Sequence, residues 1–248
     1  MNLRRTNIAL AVLHGAQAAV VLALTNGLSL PVTGAFGNGP PGQPSGPVTI
    51  ERLFSYRIGW AVAGFLVLSS LFHAIVASPW GYRVYQRELD AKRNRFRWVE
   101  YSLSASLMII LIAGLVGISD VAALCALFGV NVSMILFGWL METTNNDAEH
   151  VSWTPFIFGS IAGIVPWIAV VIYISQANGD VPSFVYGIIV SLFLLFNCFA
   201  INQLLQYRAK GRWVNYLYGE RVYMVLSLVA KSALAWQIFA NVLVGTAP

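Results

Sequence analysis

Residues 218–244 read YGERVYMVLSLVAKSALAWQIFANVLV. After Glu220 and Arg221 the stretch carries a single charge, Lys231, near its middle. At about 1.5 Å per residue it is long enough to cross the ~30 Å hydrocarbon core of a bilayer as a helix. The composition of the whole chain agrees. Of 248 residues, 58% are hydrophobic, and only 15 Lys and Arg plus 10 Asp and Glu are charged. A soluble domain of this length carries about a quarter charged residues, or roughly 60. So few charges would leave a water-soluble globule with bare apolar surface. A cytosolic enzyme, a disordered chain and a disulfide scaffold are excluded, and an integral membrane protein remains. The net charge of +5 requires no nucleic acid, since basic loops also face anionic membrane surfaces. Cys125 and Cys198 both lie in apolar stretches and define no disulfide framework.

Seven stretches meet the requirement of about 20 mostly apolar residues: 7–25, 54–78, 97–118, 121–141, 152–176, 181–207 and 218–244. They are too long for barrel strands and lack sustained alternation. The expected fold is an all-α seven-transmembrane-helix bundle, one domain over 1–248. The linkers at 117–120 and 178–182 are short and force antiparallel neighbours. Two connections are long. Residues 26–53 are rich in Gly and Pro over 37–47 and end in Val48-Thr49-Ile50, a candidate short strand; residues 79–97 are strongly basic. Arg4-Arg5 before an apolar run also describes a signal peptide, but the run is long for one, contains His14 and Gln17, and lacks a convincing small-x-small cleavage site. It reads as a retained first helix.

Lys and Arg near span ends divide twelve to two between the faces, with Arg52 and Arg57 alone on the minority side. The positive-inside rule places the N-terminus in the cytoplasm and the C-terminus outside. Acids such as Asp147 and Glu149 weigh little in that rule.

Most charges sit in loops or within a turn of a span end, and two stand apart: Lys231 and, in the third span, Glu100. An ionisable residue at the bilayer centre costs at least about 2.5–3.5 kcal/mol and normally faces a partner. Lys231 is ten or more residues from either end, beyond snorkelling reach. A desolvated amine is the nucleophile that forms a Schiff base with an aldehyde. Glu100 is then the carboxylate that neutralises the protonated product; as an alternative it is an interfacial acid beside the basic 93–97 cluster.

Seven helices, a lone lysine in the last and a carboxylate on the third resemble a microbial-type retinal protein, and the details resemble the heliorhodopsins. The matches are His14-Gly15-Ala16-Gln17 in the first helix, His73 late in the second, Trp98-Val99-Glu100-Tyr101-Ser102-Leu103-Ser104 in the third, and Ser227 four residues before Lys231. A cytoplasmic N-terminus and a long first extracellular loop with a small β-structure also characterise that family. The resemblance spans essentially the whole chain. It implies all-trans retinal covalently bound, a sensory or regulatory role, and a homodimer.

Counted from the predicted cytoplasmic ends, His14, His73 and Glu100 lie within about 10 Å and Lys231 about 15–20 Å deep. The three polar groups therefore share the cytoplasmic side of Lys231 in an expected hydrated pocket. Ser227 and Ser104 stand on the same helix faces as their charged neighbours, placed either to hydrogen-bond them or to ease helix packing. An outward proton pump of the familiar type has a carboxylate where this chain has Ser227 and a proton donor where it has Leu111. With Glu100 as the only buried acid, no carboxylate relay crosses the membrane, so a photoreceptor is expected and not a pump. The alternative is a light-gated ion or proton channel or transporter; a retinal-free protein with a buried Glu100–Lys231 pair is the third reading. Cavity walls are expected from Met134, Gly138, Trp167, Phe193, Phe196 and Trp236. Asn131, Asn197 and Gln203 are intramembrane amides that need partners, and 159–163 fits a small-xxx-small helix contact. No metal cluster, P-loop or hydrolytic triad is visible and no enzyme is expected. The expected partners are the lipid bilayer, a second copy and an unidentified cytoplasmic signalling protein, for which the basic 79–97 segment is a docking surface unless anionic lipid accounts for its charge.

Overall fold

The computed structural model describes residues 3–37, 39–40, 48–146, 150–177, 179 and 181–243. Residues 41–47 of the Gly/Pro-rich connection, the acids Asp147 and Glu149, and Asn178 and Asp180 lie outside them. Seven helices are long and apolar enough to cross a membrane: α1 (Leu3–Leu24), α2 (Ile58–Ala77), α4 (Arg95–Leu115), α5 (Val121–Thr144), α6 (Thr154–Ser175), α7 (Ser183–Tyr207) and α8 (Tyr216–Ile238), which a π-helical turn at Phe239–Leu243 extends. Between them lie a hairpin of β1 (Ser29–Phe36) and β2 (Thr49–Arg57), and a short helix α3 (Pro79–Asp90). The fold is a seven-helix membrane bundle with a small antiparallel sheet.

Local chemistry sets the helix starts. Side chains of Ser78, Asn94, Asp120 and Asn215 accept hydrogen bonds from backbone N–H groups at the beginnings of α3, α4, α5 and α8, satisfying donors that a first turn leaves orphaned. Gly117 adopts φ +93° in the tight α4–α5 turn, a conformation that suits glycine.

Most span ends fall within a few residues of the sequence expectation, and two segments differ in kind. Residues 54–57 belong to β2 and not to a span, because Phe54, Ser55 and Tyr56 pair with Val32, Pro31 and Leu30. Composition alone cannot separate a strand of Leu, Phe and Tyr from a helix end. The basic connection after α2 is not a plain loop: α3 turns Tyr85 and Leu89 onto Val76, Leu3 and Phe96 and leaves Arg83 and Arg87 outside. The hairpin is lashed to the bundle where Thr33 donates its N–H to Ser119 O at 2.8 Å and the two hydroxyls meet at 2.9 Å.

The helices pack in the order α1, α2, α4, α5, α6, with α7 against α8 and α8 back against α1 and α2. α4 is the most buried span and runs through the centre. Outward faces are apolar, as on α6, where Ile161, Ile168 and Val171 are exposed; this is the inversion a lipid solvent demands. The two halves differ in chemistry. The half toward the hairpin is an apolar core of Val21, Val62, Phe65, Ile109, Leu111, Ile112, Leu234 and Ile238. The half toward α3, here the arginine-rich end, buries Asn7, Glu88, Asn94, Arg97, Glu100, Glu142 and Glu220.

Candidate functional site

Lys231 is on α8 and Glu100 on α4, and both are buried. Long helical side chains lean toward their helix N-terminus, so the Lys231 amine reaches back one turn toward the arginine-rich half. There Nζ donates to Glu100 Oε1 at 2.7 Å and to Ser227 Oγ at 2.8 Å. Ser69 on α2 donates to the same carboxylate oxygen at 2.6 Å. The Tyr101 ring, one residue past Glu100, lies 5.1 Å from Nζ, within cation–π range. Two buried opposite charges held by two hydroxyls and a ring form a compensated pair, the only arrangement in which either is tolerable away from water.

A cavity of about 200 Å³ opens beside the amine. One water needs about 10–15 Å³ by the same measure, so the space is of ligand size. Met134 and Gly138 of α5, Trp167 of α6, Phe193 and Phe196 of α7, and Ser104, Ser227 and Lys231 all line it. Trp167 meets Phe193 and Phe196 edge to face at 5.2 and 5.7 Å. The lining also includes Trp98 and Tyr101 of the third-helix motif, and Phe199 and Tyr223, which the sequence reading had not singled out. Trp236 is not brought to the cavity. Five residues past Lys231, it is turned about 140° around α8, is 40% exposed, and packs on Phe239 at 5.4 Å.

His14 and His73 come together. Their rings stack at 5.8 Å and 5° between planes, and His73 Nδ1 is 2.7 Å from Asn7 Oδ1. His14 is fully buried and neither ring nitrogen bonds a protein atom. His73 and Glu100 line a second, smaller cavity of about 50 Å³, with Asn94, Arg97 and Glu220 on its far wall. Of the amides, Asn131 donates to Ser106 and Gln203 to the Gly138 carbonyl, while Asn197 bonds within its own helix. The glycines of the small-xxx-small motif meet α5 of the same chain: a Cβ on Gly163 would lie 2.6 Å from Met134 Sδ and one on Gly159 3.2 Å from Phe137. That motif closes the α5–α6 seam within the chain.

The expectation that Glu100 is the only buried acid is corrected. Glu88, Glu142 and Glu220 are buried as well. They lie at or beyond span ends, where sequence position reads as interfacial, but each has a basic partner folded onto it. Glu88 pairs with Arg95 and Arg93 at 2.7 and 3.5 Å. Glu142 accepts from Arg97 at 2.9 Å, Trp98 Nε1 at 2.6 Å, the Asn94 N–H at 2.8 Å and the Tyr216 hydroxyl at 2.8 Å. Glu220 pairs with Arg97 and accepts from Asn94 Nδ2 at 2.8 Å. The Arg97 guanidinium is sandwiched between Trp98 and Tyr223, 4.3 and 4.1 Å from the two ring centroids. Glu88, Glu142 and Glu220 all lie on the arginine-rich side of the Lys231–Glu100 pair. Among the described residues, no buried carboxylate lies on the hairpin side.

The model of one protein family, heliorhodopsin, matches residues 3–243. No curated protein matches the chain.

Proposed function

From the premise that the chain belongs to the heliorhodopsin family, and so is a retinal-binding, rhodopsin-type integral membrane protein, we propose that Lys231 carries the retinal. In this reading the Nζ amine condenses with the aldehyde of all-trans retinal, water leaves, and the resulting Schiff base is held protonated with Glu100 as its counterion. The observation that carries it is the placement of Lys231 Nζ at the inner wall of an apolar, aromatic-lined cavity, 2.7 Å from a buried carboxylate. The residues fit the group: a conjugated chain needs a slot with aromatic walls and one polar end, and both are present. When bound, retinal supplies light absorption and isomerisation. The chain supplies the rest. Glu100 and Ser227 keep a positive charge at Nζ, Ser69 orients the carboxylate, and the apolar hairpin half excludes water.

A light-sensing role is favoured over an outward pump. A relay across the membrane needs proton-holding groups on both sides of Lys231, and the described buried acids are all on one. Leu111 lies inside the apolar core. The arginine-rich end is assigned to the cytoplasm, with the N-terminus inside, on the twelve-to-two distribution of Lys and Arg. A homodimer is proposed from the family resemblance, on faces other than the α5–α6 seam. Adding all-trans retinal to the purified protein is expected to give a visible band that Lys231→Ala abolishes. A protein that stays colourless refutes the reading. Glu100→Gln removes the charge that localises the positive end and shifts the band to the red; an unchanged spectrum removes Glu100 from the counterion role.

A further inference from the structure

The cavity beside Lys231 and the arginine-rich mouth of the bundle share two side chains that lie on Arg97, Trp98 and Tyr223, and Trp98 is the one that also hydrogen-bonds Glu142. Trp98 lines the cavity, while its indole N–H is bound to Glu142 at 2.6 Å. Its ring has no slack toward α5: a Cβ on Gly138 would stand 2.5 Å from Trp98 Cζ3. Beyond it, Arg97 is the single guanidinium shared by Glu142 of α5 and Glu220 of α8. Those two helices do not pack side by side. At this end they are joined through Arg97, through Asn94, whose backbone N–H goes to Glu142 and side-chain amide to Glu220, and through the Tyr216 hydroxyl on Glu142.

We propose that Trp98 couples the cavity to an Arg97–Glu142–Glu220 latch that holds the arginine-rich ends of α5 and α8 together, and that displacing the indole opens it. This rests on the retinal reading above for what moves the indole, but the latch itself does not. Two buried carboxylates share one cation, and the guanidinium keeps its place through the rings of Trp98 and Tyr223 on which it lies. A half-released guanidinium leaves one buried carboxylate with neutral donors only and no cation, so partial opening is disfavoured. The cluster therefore has two states, closed and dry or open and hydrated, which is the bistability a switch requires. Behind it, the 50 Å³ cavity reaches Glu100, His73 and Asn94 and has room for a few waters. Opening joins that cavity to the solution and carries the state of the Lys231 pair to the protein's arginine-rich surface.

The test is a pulsed-EPR distance between nitroxides at Thr143 on α5 and Val214 just before α8, both exposed, with Cys125 and Cys198 replaced by Ser. Without retinal, the otherwise unaltered protein should show one short-distance population and Glu220→Gln a second, longer one. An unchanged distribution in Glu220→Gln overturns the latch. Loaded with all-trans retinal and illuminated, the protein should shift toward the same longer distance. Trp98→Phe, which removes the indole N–H, should reduce that shift several-fold per photoconverted molecule. A full shift in Trp98→Phe, or none in photoconverting protein with Trp98 intact, overturns the coupling. A protein that stays colourless refutes the retinal reading instead, and the retinal-free arm still decides the latch.

Discussion

Gly138→Ala adds one methyl group where none fits. The new Cβ would lie 2.5 Å from Trp98 Cζ3 and 2.8 Å from Cη2, so the ring must retreat by about 1 Å to reach an ordinary contact of about 3.5 Å. The indole cannot retreat freely, because its N–H is held by Glu142 and its face carries Arg97. Overpacking of this kind costs about 1–3 kcal/mol. Losing a hydrogen bond to a charged group costs about 1.5–3 kcal/mol more. Alanine returns up to about 1 kcal/mol through better helix propensity. The balance is a loss of about 1.5–5 kcal/mol, which at about 2–4 °C per kcal/mol for a chain of this size lowers the Tm by on the order of 3–20 °C. Thermal unfolding in detergent, followed by circular dichroism, reads it. Gly129→Ala is the control, since its Cβ meets nothing within 4 Å and only the propensity gain applies. Gly138→Ala combined with Trp98→Phe should recover part of the loss, because the smaller ring vacates the colliding edge. If Gly138→Ala melts with Gly129→Ala at the original temperature, the tight Trp98–Gly138 contact is wrong.

Ser69→Ala removes one of the two serine hydroxyls in the Lys231–Glu100 site; it should lower stability by about 1.5–3 kcal/mol and shift the retinal band to the red by less than Glu100→Gln does. An unchanged band and Tm would show that Ser69 does not hold the carboxylate. Illuminated vesicles containing the retinal-loaded protein should show no sustained pH change, measured with an external electrode and a protonophore control; a steady drift would reinstate a transporter. An epitope tag at the N-terminus should be inaccessible to antibody in intact cells and become accessible on permeabilisation, whereas surface labelling of intact cells reverses the orientation.

Much of the bundle was legible from hydropathy because a bilayer imposes a length and a composition on anything that crosses it. Seven spans, the short turns and a buried lysine all follow from local sequence. The boundary at Ile58 did not, because the strand pairing of 54–57 with β1 is a contact between segments that no local window contains. α3 was hidden by its charge: Arg83, Arg87, Glu88 and Asp90 mask the Tyr85 and Leu89 that dock it.

For the site, local sequence was enough to say which groups are costly in a membrane. Lys231 could be named because it lies mid-span in an apolar run, and Glu100 because it is the acid inside the third span, although the basic 93–97 cluster beside it left an interfacial reading open. Tertiary structure decided their surroundings. Ser69 is one serine among many until α2 packs on α4 and sets its hydroxyl 2.6 Å from Glu100. Trp236 looked as suitable for the cavity as Trp167, and only the rotation of α8 turned it outward. Glu142 and Glu220 read as interfacial acids, since sequence gives distance along a helix and not what closes over its end. They become a buried pair because α4 carries Arg97 between them, and that meeting of three helices is a fact of packing alone.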